Sequence, residues 1–532
     1  MAFLVSMASK DNLYSLTRGQ VGRKWQPRLR WDNAVKELFE SALGRERFQL
    51  ISDAIPTPPR RLCIRVNRLK TTREDVMRRL PLELENEYDR KMLLECPPVA
   101  HEKLPMIIMI LGSGPNEVDY GGIKTGYPCD LDGKEVIVGR LAGESMLKGA
   151  QCYAPGILAT TRGLKKGDKV AVSVGLETDY HKKTYGVSRF SLLDPYIPLD
   201  DERFPERKNL FLGIGEIQCD RSEMNCGSKG LVVTMTDRVF ELPSLGNGIM
   251  KGEMMMQSLP SIVAAATLDP KPGSKVLDMC ASPGGKTMAM AEMMDNKGII
   301  YALDRTHNKV RKVKDLADEL GVTIVCALKG DATKAFSGQT SKMAVRSASD
   351  QVDGQIMQQI VREERKNRVR ISHGIDAKPE KSYVDILENG FEEKTFDYVL
   401  LDPPCSALGL RPRLMVNTSI QDLKKNASYQ RMMIDAAVEV VRIGGFVVYS
   451  TCTINPLENE FNVRYLLDKF PYMKLVQSEY NFGLPGLTGT VQVLGKSYDL
   501  LHENEAPLVQ RFDPGGELDT MGFFIAKFQR TY

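Results

Sequence analysis

A chain of 532 residues exceeds what one compact domain holds, and its 42% hydrophobic and 26% charged content is that of an ordinary globular protein. A net charge of only +4 excludes a uniformly basic nucleic-acid carrier, so any RNA contact must come from clustered cations. Ten cysteines scattered without CxxC spacing exclude a disulfide framework and a zinc site, and fit the reduced thiols of an intracellular protein.

No window approaches the ~18 uninterrupted apolar residues of a membrane span. The N-terminal MAFLVSMASK lacks a basic n-region and a long apolar h-region. The expectation is a cytoplasmic monomer with no membrane contact and no metal. Residues 1–33, with Trp25, Trp31 and several arginines, read as a loosely held tail. Helical spacing over 34–42, strand alternation over 61–67, a helical run at 70–80 and an apolar strand at 106–111 predict a small α+β unit over 34–133, closed by a loop at 112–133.

Over 134–240 short strand-like runs recur at 135–138, 169–174, 209–213 and 231–235, separated by polar and Gly-rich turns. Only 143–148 looks helical. That pattern predicts a small β-barrel or sandwich. Within it, LKGAQCYAPGI sets Lys148 near Tyr153, and Lys182 and Lys183 follow. An aromatic for base stacking with cations for phosphate is how single-stranded RNA ends are held. On spacing alone these residues favour the blander reading, a surface loop with a half-buried tyrosine and a solvated lysine pair.

From 241 to 532 the pattern is α/β. Strands are predicted at 275–279, 299–303, 323–327, 396–401, 445–450 and 521–528, with helices at 285–295, 308–320, 429–442 and 457–469. The alternation predicts a doubly wound, Rossmann-like sheet. A polar segment at 335–392 interrupts it and reads as a solvated or disordered insert.

In such a sheet the ligand crevice lies at the carboxyl ends of the strands. The run VLDMCASPGGKT places a strand, a glycine turn and a helix start there. A P-loop would need a glycine where this chain has Cys280, and GxGxxG is absent. Asp304, Asp331 and Asp402 instead follow successive strands. Acids repel phosphates; Asp304 suits ribose hydroxyls and Asp331 an adenine amino group, so the set points to S-adenosylmethionine. Each aspartate alone also reads as a helix cap or turn residue.

Cys405 and Cys452 each sit just past a strand end. Carbon 5 of cytosine becomes nucleophilic when a thiolate adds at carbon 6, and the C5 proton and the thiol must later leave. Lys286 could lower a thiol pKa or contact the base, and Asp402 could bond the ring nitrogen. Without further information each cysteine also reads as a small buried hydrophobe.

Together, CASPGGKT, DPPCSALGLRP and YSTCTINPLENE closely resemble the motifs of the Sun-family RNA cytosine-5 methyltransferases, and RFDP…GFFIAKF resembles that family's C-terminus. The resemblance implies Cys452 as nucleophile and Cys405 as the thiol that assists release. It implies Cys280, Ala281, Ser282, Pro283, Gly284, Gly285 and Lys286 as the cofactor loop. Asp304, Asp331 and Asp402 follow as further cofactor or base contacts. The segment from KEVIVG to KKGDKVAV looks like a PUA domain, as in the subtype that methylates tRNA in the acceptor stem. In that subtype the domain grips the 3′ CCA end, which implies RNA-contact roles for Lys148, Tyr153, Lys182 and Lys183. Three departures stand out: Lys148 where arginine is more usual, Ala407 where glycine usually follows PCS, and a long insert at 335–392. The expected activity is therefore S-adenosylmethionine-dependent tRNA cytosine-5 methylation. Ribosomal or messenger RNA as substrate, or a non-catalytic RNA-binding protein, are the alternatives.

Overall fold

The computed structural model describes residues 27–116, 118, 134–175, 177–179, 184–185, 191–193, 209–220, 230–246, 248–337 and 390–532. Lys182, Lys183 and most of the 335–392 segment lie outside them.

An eight-stranded mixed sheet organises the C-terminal half. Its order is Val325–Lys329, Ile299–Asp304, Lys275–Asp278, Phe396–Leu401, Val441–Thr451, Phe523–Arg530 and Met473–Leu475, with Val509–Phe512 also paired to Phe523–Arg530. The first five strands are parallel to one another, and Phe523–Arg530 is antiparallel to its neighbours. Successive side chains of a strand point to opposite faces. Val276, Leu400, Val448 and Ile525 accordingly enter one core with the helices Leu259–Leu268, Gly285–Met293 and His307–Leu320. Leu277, Leu401, Val447 and Phe524 enter the other, under Ile420–Val440 and Glu460–Lys469. Helices thus cover both faces, and the α/β expectation describes this sheet.

Two helices differ from expectation for identifiable reasons. The helix expected at 429–442 begins at Ile420, because Ser419 and Asp422 form a capping box ahead of two polar turns. The helix expected from 457 begins at Glu460, because side chains at 455–459 are engaged by the strand-end loops instead.

The N-terminal residues divide between two sites. Arg61–Val66, Ile107–Leu111 and Val99–Ala100 form a four-stranded sheet completed by Met254–Met256, from beyond the expected boundary at 241. The helices Asn33–Leu43 and Arg45–Ala54 do not pack on that sheet. Their Val35, Leu38, Phe39, Phe48 and Ile51 share a core with Leu408, Ile420 and Ile454 of the C-terminal half. Trp31, assigned to a loose tail, is docked here: its indole N–H donates to Ser52 Oγ at 2.9 Å, and its ring meets Phe39 and Phe48 edge-on. An indole N–H that enters a core needs such a partner.

The intervening residues form a seven-stranded mixed sheet. Its core contains Val136, Val138, Val170, Val172 and Val174 from two parallel neighbours, and Leu414 from the C-terminal half inserts into it. The Leu414 backbone N–H donates to Glu144 Oε1 at 2.9 Å, so the chain following Cys405 is anchored on this sheet.

Candidate active site

Three strand ends meet at one cleft. Lys275–Asp278 runs into the turn at Ser282–Gly285, where Gly284 has φ of 113° and a side chain would press on Leu316. Gly284 therefore satisfies a left-handed turn that an L-residue resists. The helix Gly285–Met293 begins there with no side-chain cap among the described residues, which leaves its first N–H groups for a ligand. Thr287, on that helix, donates to Asp278 at 2.7 Å. Burial pushes the Asp278 carboxyl up to about 7. The N-terminal sheet grips the same helix through a buried Arg65–Glu292 ion pair.

Asp304, at the end of the next strand, accepts the Ser282 N–H at 3.0 Å and so closes the turn from the side. Lys309 Nζ is 3.1 Å from the same carboxylate. Asp331 caps a short 3-10 turn: the Thr333 N–H at 3.1 Å and Oγ1 at 2.8 Å both bond to Oδ1, so that turn does not engage Oδ2. The cap role open for this residue in the sequence is present in its geometry.

Asp402 lies directly beyond Phe396–Leu401. Its Oδ2 is 2.7 Å from Lys286 Nζ, and its Oδ1 accepts Ser450 Oγ–H at 2.8 Å. Burial pulls the Lys286 ammonium down, but the Asp402 carboxylate outweighs it and the net shift is upward. Lys286 is thus held cationic. Cys405 and Cys452, from two different strand-end loops, bring their sulfurs within 3.3 Å. A hydrogen bond from Cys405 is the largest influence on Cys452 and holds its thiol below the ordinary value; burial and Asp402 oppose, and Lys286 adds a lesser downward effect. The same hydrogen bond and burial push Cys405 up. The sequence reading credited Lys286 with lowering a thiol pKa; its charge acts in that direction on Cys452, behind the thiol–thiol contact.

The arrangement offers a depressed thiol, a second protonated thiol in contact with it, and a cation–carboxylate pair at one cleft. The acids at neighbouring strand ends suit an uncharged ribose and adenine, and the uncapped helix suits a carboxylate, so the residues present fit S-adenosylmethionine.

Sequence reasoning missed Asp278, Thr287, Ser450, Gln430, Glu458 and Asn459. Glu458 and Asn459 lay within the quoted YSTCTINPLENE run, but Glu458 also takes donors from Ser406 and Gln430, which lie far from it in the sequence. In the seven-stranded sheet, Lys148 is exposed just after the helix Arg140–Met146. Tyr153 is 49% exposed in the strand Cys152–Tyr153.

A family model described as 16S rRNA methyltransferase RsmB/F matches residues 265–345 and 348–529. An Arabidopsis thaliana rRNA (cytosine-C(5))-methyltransferase, NOP2C, is 38% identical over 558 residues, covering 95% of this chain and 91% of that one. The Mus musculus tRNA (cytosine(72)-C(5))-methyltransferase NSUN6 is 30% identical over 532 residues, covering 93% and 94%. The crystal structure of NSun6 from Pyrococcus horikoshii with SFG, an S-adenosylmethionine analogue, superposes with a TM-score of 0.65 at 29% identity, covering 94% of this chain and 98% of that one. With these similarities beside a glycine turn, paired thiols and a lysine–aspartate pair at neighbouring strand ends, the chain belongs to the Sun family of S-adenosylmethionine-dependent RNA cytosine-C5 methyltransferases.

Proposed function

We propose that this protein methylates carbon 5 of a cytosine in the acceptor stem of tRNA, near the 3′ CCA end, through a covalent bond to Cys452. The observation that carries the reading is the 3.3 Å contact between two thiols beside the Lys286–Asp402 pair. Cys452 adds to carbon 6, with its negative charge favoured by the Cys405 S–H. Asp402 and Lys286 hold the base edge on which electron density collects. Bound S-adenosylmethionine supplies the methyl group. A solvent base takes the carbon-5 proton, its C–H electron pair closes the carbon 5–carbon 6 double bond, and the carbon 6–sulfur pair leaves on Cys452, whose thiolate is in contact with the Cys405 S–H.

The cofactor contacts would be Cys280, Ala281, Ser282, Pro283, Gly284, Gly285, Lys286, Asp304, Asp331 and Asp402. Residues 134–240 would form a PUA-like domain that holds the CCA end through Lys148 and Tyr153. Lys182 and Lys183, outside the described residues, would add charge there. The anchoring of Leu414 in this sheet supports delivery of an RNA end towards the Cys405 loop. Residues 34–133 would add RNA contact, and 241–532 would be catalytic.

The mouse relative named for tRNA cytosine 72 favours tRNA; the Arabidopsis relative named for rRNA favours ribosomal RNA as a second reading. Transfer from methyl-labelled S-adenosylmethionine into intact and CCA-trimmed tRNA separates them. Transfer only into intact tRNA is expected. Equal transfer into both would overturn the CCA role, and transfer into ribosomal RNA alone would overturn the substrate.

A further inference from the structure

Two consecutive side chains, Glu458 and Asn459, lie between the cysteine loops and are fully buried. Glu458 accepts three N–H donors: Ser406 N–H at 3.0 Å and Gln430 Nε2 at 2.8 Å on Oε2, and Asn455 Nδ2 at 2.8 Å on Oε1. Gln430 Nε2 also donates to Pro404 O at 3.0 Å. Both neighbours of Cys405 are therefore tied to one carboxylate, Ser406 directly and Pro404 through Gln430. Asn459 does the same around Cys452. Its Oδ1 accepts Thr451 Oγ1 at 2.5 Å, and its Nδ2 donates to Thr453 O at 2.9 Å. Ser406 Oγ and Thr453 Oγ1, 2.7 Å apart, cross-link the two loops.

A buried carboxylate is costly unless its hydrogen bonds are complete. Here the complete set of bonds ends on the loop that carries Cys405 and on its supports. We infer that Glu458 and Asn459 are positioning residues, in which adjacent side chains each fix the backbone around one cysteine and together set the separation of the two sulfurs. The inference rests on the two-thiol mechanism proposed above. It predicts a division of labour. Loosening Glu458 misplaces Cys405 and impairs release, whereas loosening Asn459 misplaces Cys452 and impairs attack.

The test uses the full chain with S-adenosylmethionine and tRNA, quenched in detergent, and reads the covalent RNA adduct and the methylated product in parallel. Glu458→Gln keeps the volume but turns an amide N–H₂ towards N–H donors. It is expected to raise the adduct about 10- to 100-fold over wild type, the effect of a misplacement near 1 Å. Asn459→Ala is expected to lower kcat with no adduct and an unchanged KM for tRNA. A general packing defect would lower turnover in both without adduct, and that result, or adduct in Asn459→Ala, overturns the inference. Gln430→Met, which removes the tie to Pro404, is expected to accumulate adduct as Glu458→Gln does. It carries the test if Glu458→Gln no longer binds S-adenosylmethionine. Cys405→Ala is the reference: if it traps no adduct, the two-thiol mechanism fails, whereas trapping there with none in Glu458→Gln and Gln430→Met sinks the positioning role alone.

Discussion

Removing Cys405 should change the pH at which Cys452 attacks as well as impair release. The sulfurs are 3.3 Å apart, and the Cys405 S–H is the largest influence holding the Cys452 thiol below its ordinary value. Hydrogen bonds to charged groups contribute about 1.5–3 kcal/mol, and S–H is a weak donor, so the lower end applies. At 1.36 kcal/mol per factor of ten this is about a tenfold effect on the attack. Attack requires the thiolate, so its rate rises with pH until the Cys452 thiol has ionised. Cys405→Ala raises that pKa, and the acid limb should move towards alkaline pH. Below the limb, adduct formation then slows about tenfold relative to wild-type attack at the same pH. The assay is single-turnover reaction with tRNA and S-adenosylmethionine from pH 6 to 9, reading adduct in the variant and methyl transfer in the wild type. Cys405→Ser, which keeps a donor, should show a smaller shift. Superimposable acid limbs in wild type and Cys405→Ala would refute the thiol–thiol hydrogen bond as the source of activation.

Further outcomes follow from single contacts. Ala407 has φ of 54°, in the left-handed region, so Ala407→Gly should stabilise the protein by about 1 kcal/mol, read from thermal or denaturant unfolding. Ser450 Oγ holds Asp402 at 2.8 Å; Ser450→Ala should lower kcat about tenfold, read as methyl transfer at saturating S-adenosylmethionine. Arg411 bonds Asp519 at 2.7 Å, Ala54 O at 2.9 Å and Thr57 Oγ1 at 2.8 Å, fastening the N-terminal helices beneath the cysteine loops. Lysine lacks that fork, so Arg411→Lys should cost about 2–3 kcal/mol of stability by denaturant unfolding.

What the sequence disclosed was local. The strand Lys275–Asp278, its glycine turn and the following helix are written in contiguous residues, as are the strands that lead to Asp402 and Cys452. The helix Leu259–Leu268 was passed over because nearly every side chain on it is buried, which erases the amphipathic period. The first turns of Ile420–Val440 were lost for the opposite reason: IQDLKKNASYQ is polar, and only the Ser419–Asp422 box marks its start.

The long-range packing was not legible. Nothing in Val35, Leu38 and Phe39 says that they face Leu408 and Ile454 rather than the nearby sheet. Nor does the spacing of Met254–Met256 reveal that it hydrogen-bonds to Arg61–Val66. The site shows the same division. Lys286, Asp402, Cys405 and Cys452 could be named from the strand ends that carry them. The contact of Cys405 with Cys452, the grip of Ser450 on Asp402 and the ties of Glu458 to Ser406 and Gln430 depend on segments far apart in the sequence. These appear only once the sheet has brought those segments together.

The central claim is that Cys452 attacks a cytosine in tRNA, and one measurement reads both halves of it. Cys405→Ala protein is incubated with total RNA and S-adenosylmethionine, the trapped complex is digested, and the cross-linked peptide and nucleotide are identified by mass spectrometry. The account predicts a peptide containing Cys452 joined to a cytosine from the acceptor end of a tRNA. Linkage to a different cysteine, or to a cytosine of ribosomal RNA, would contradict it.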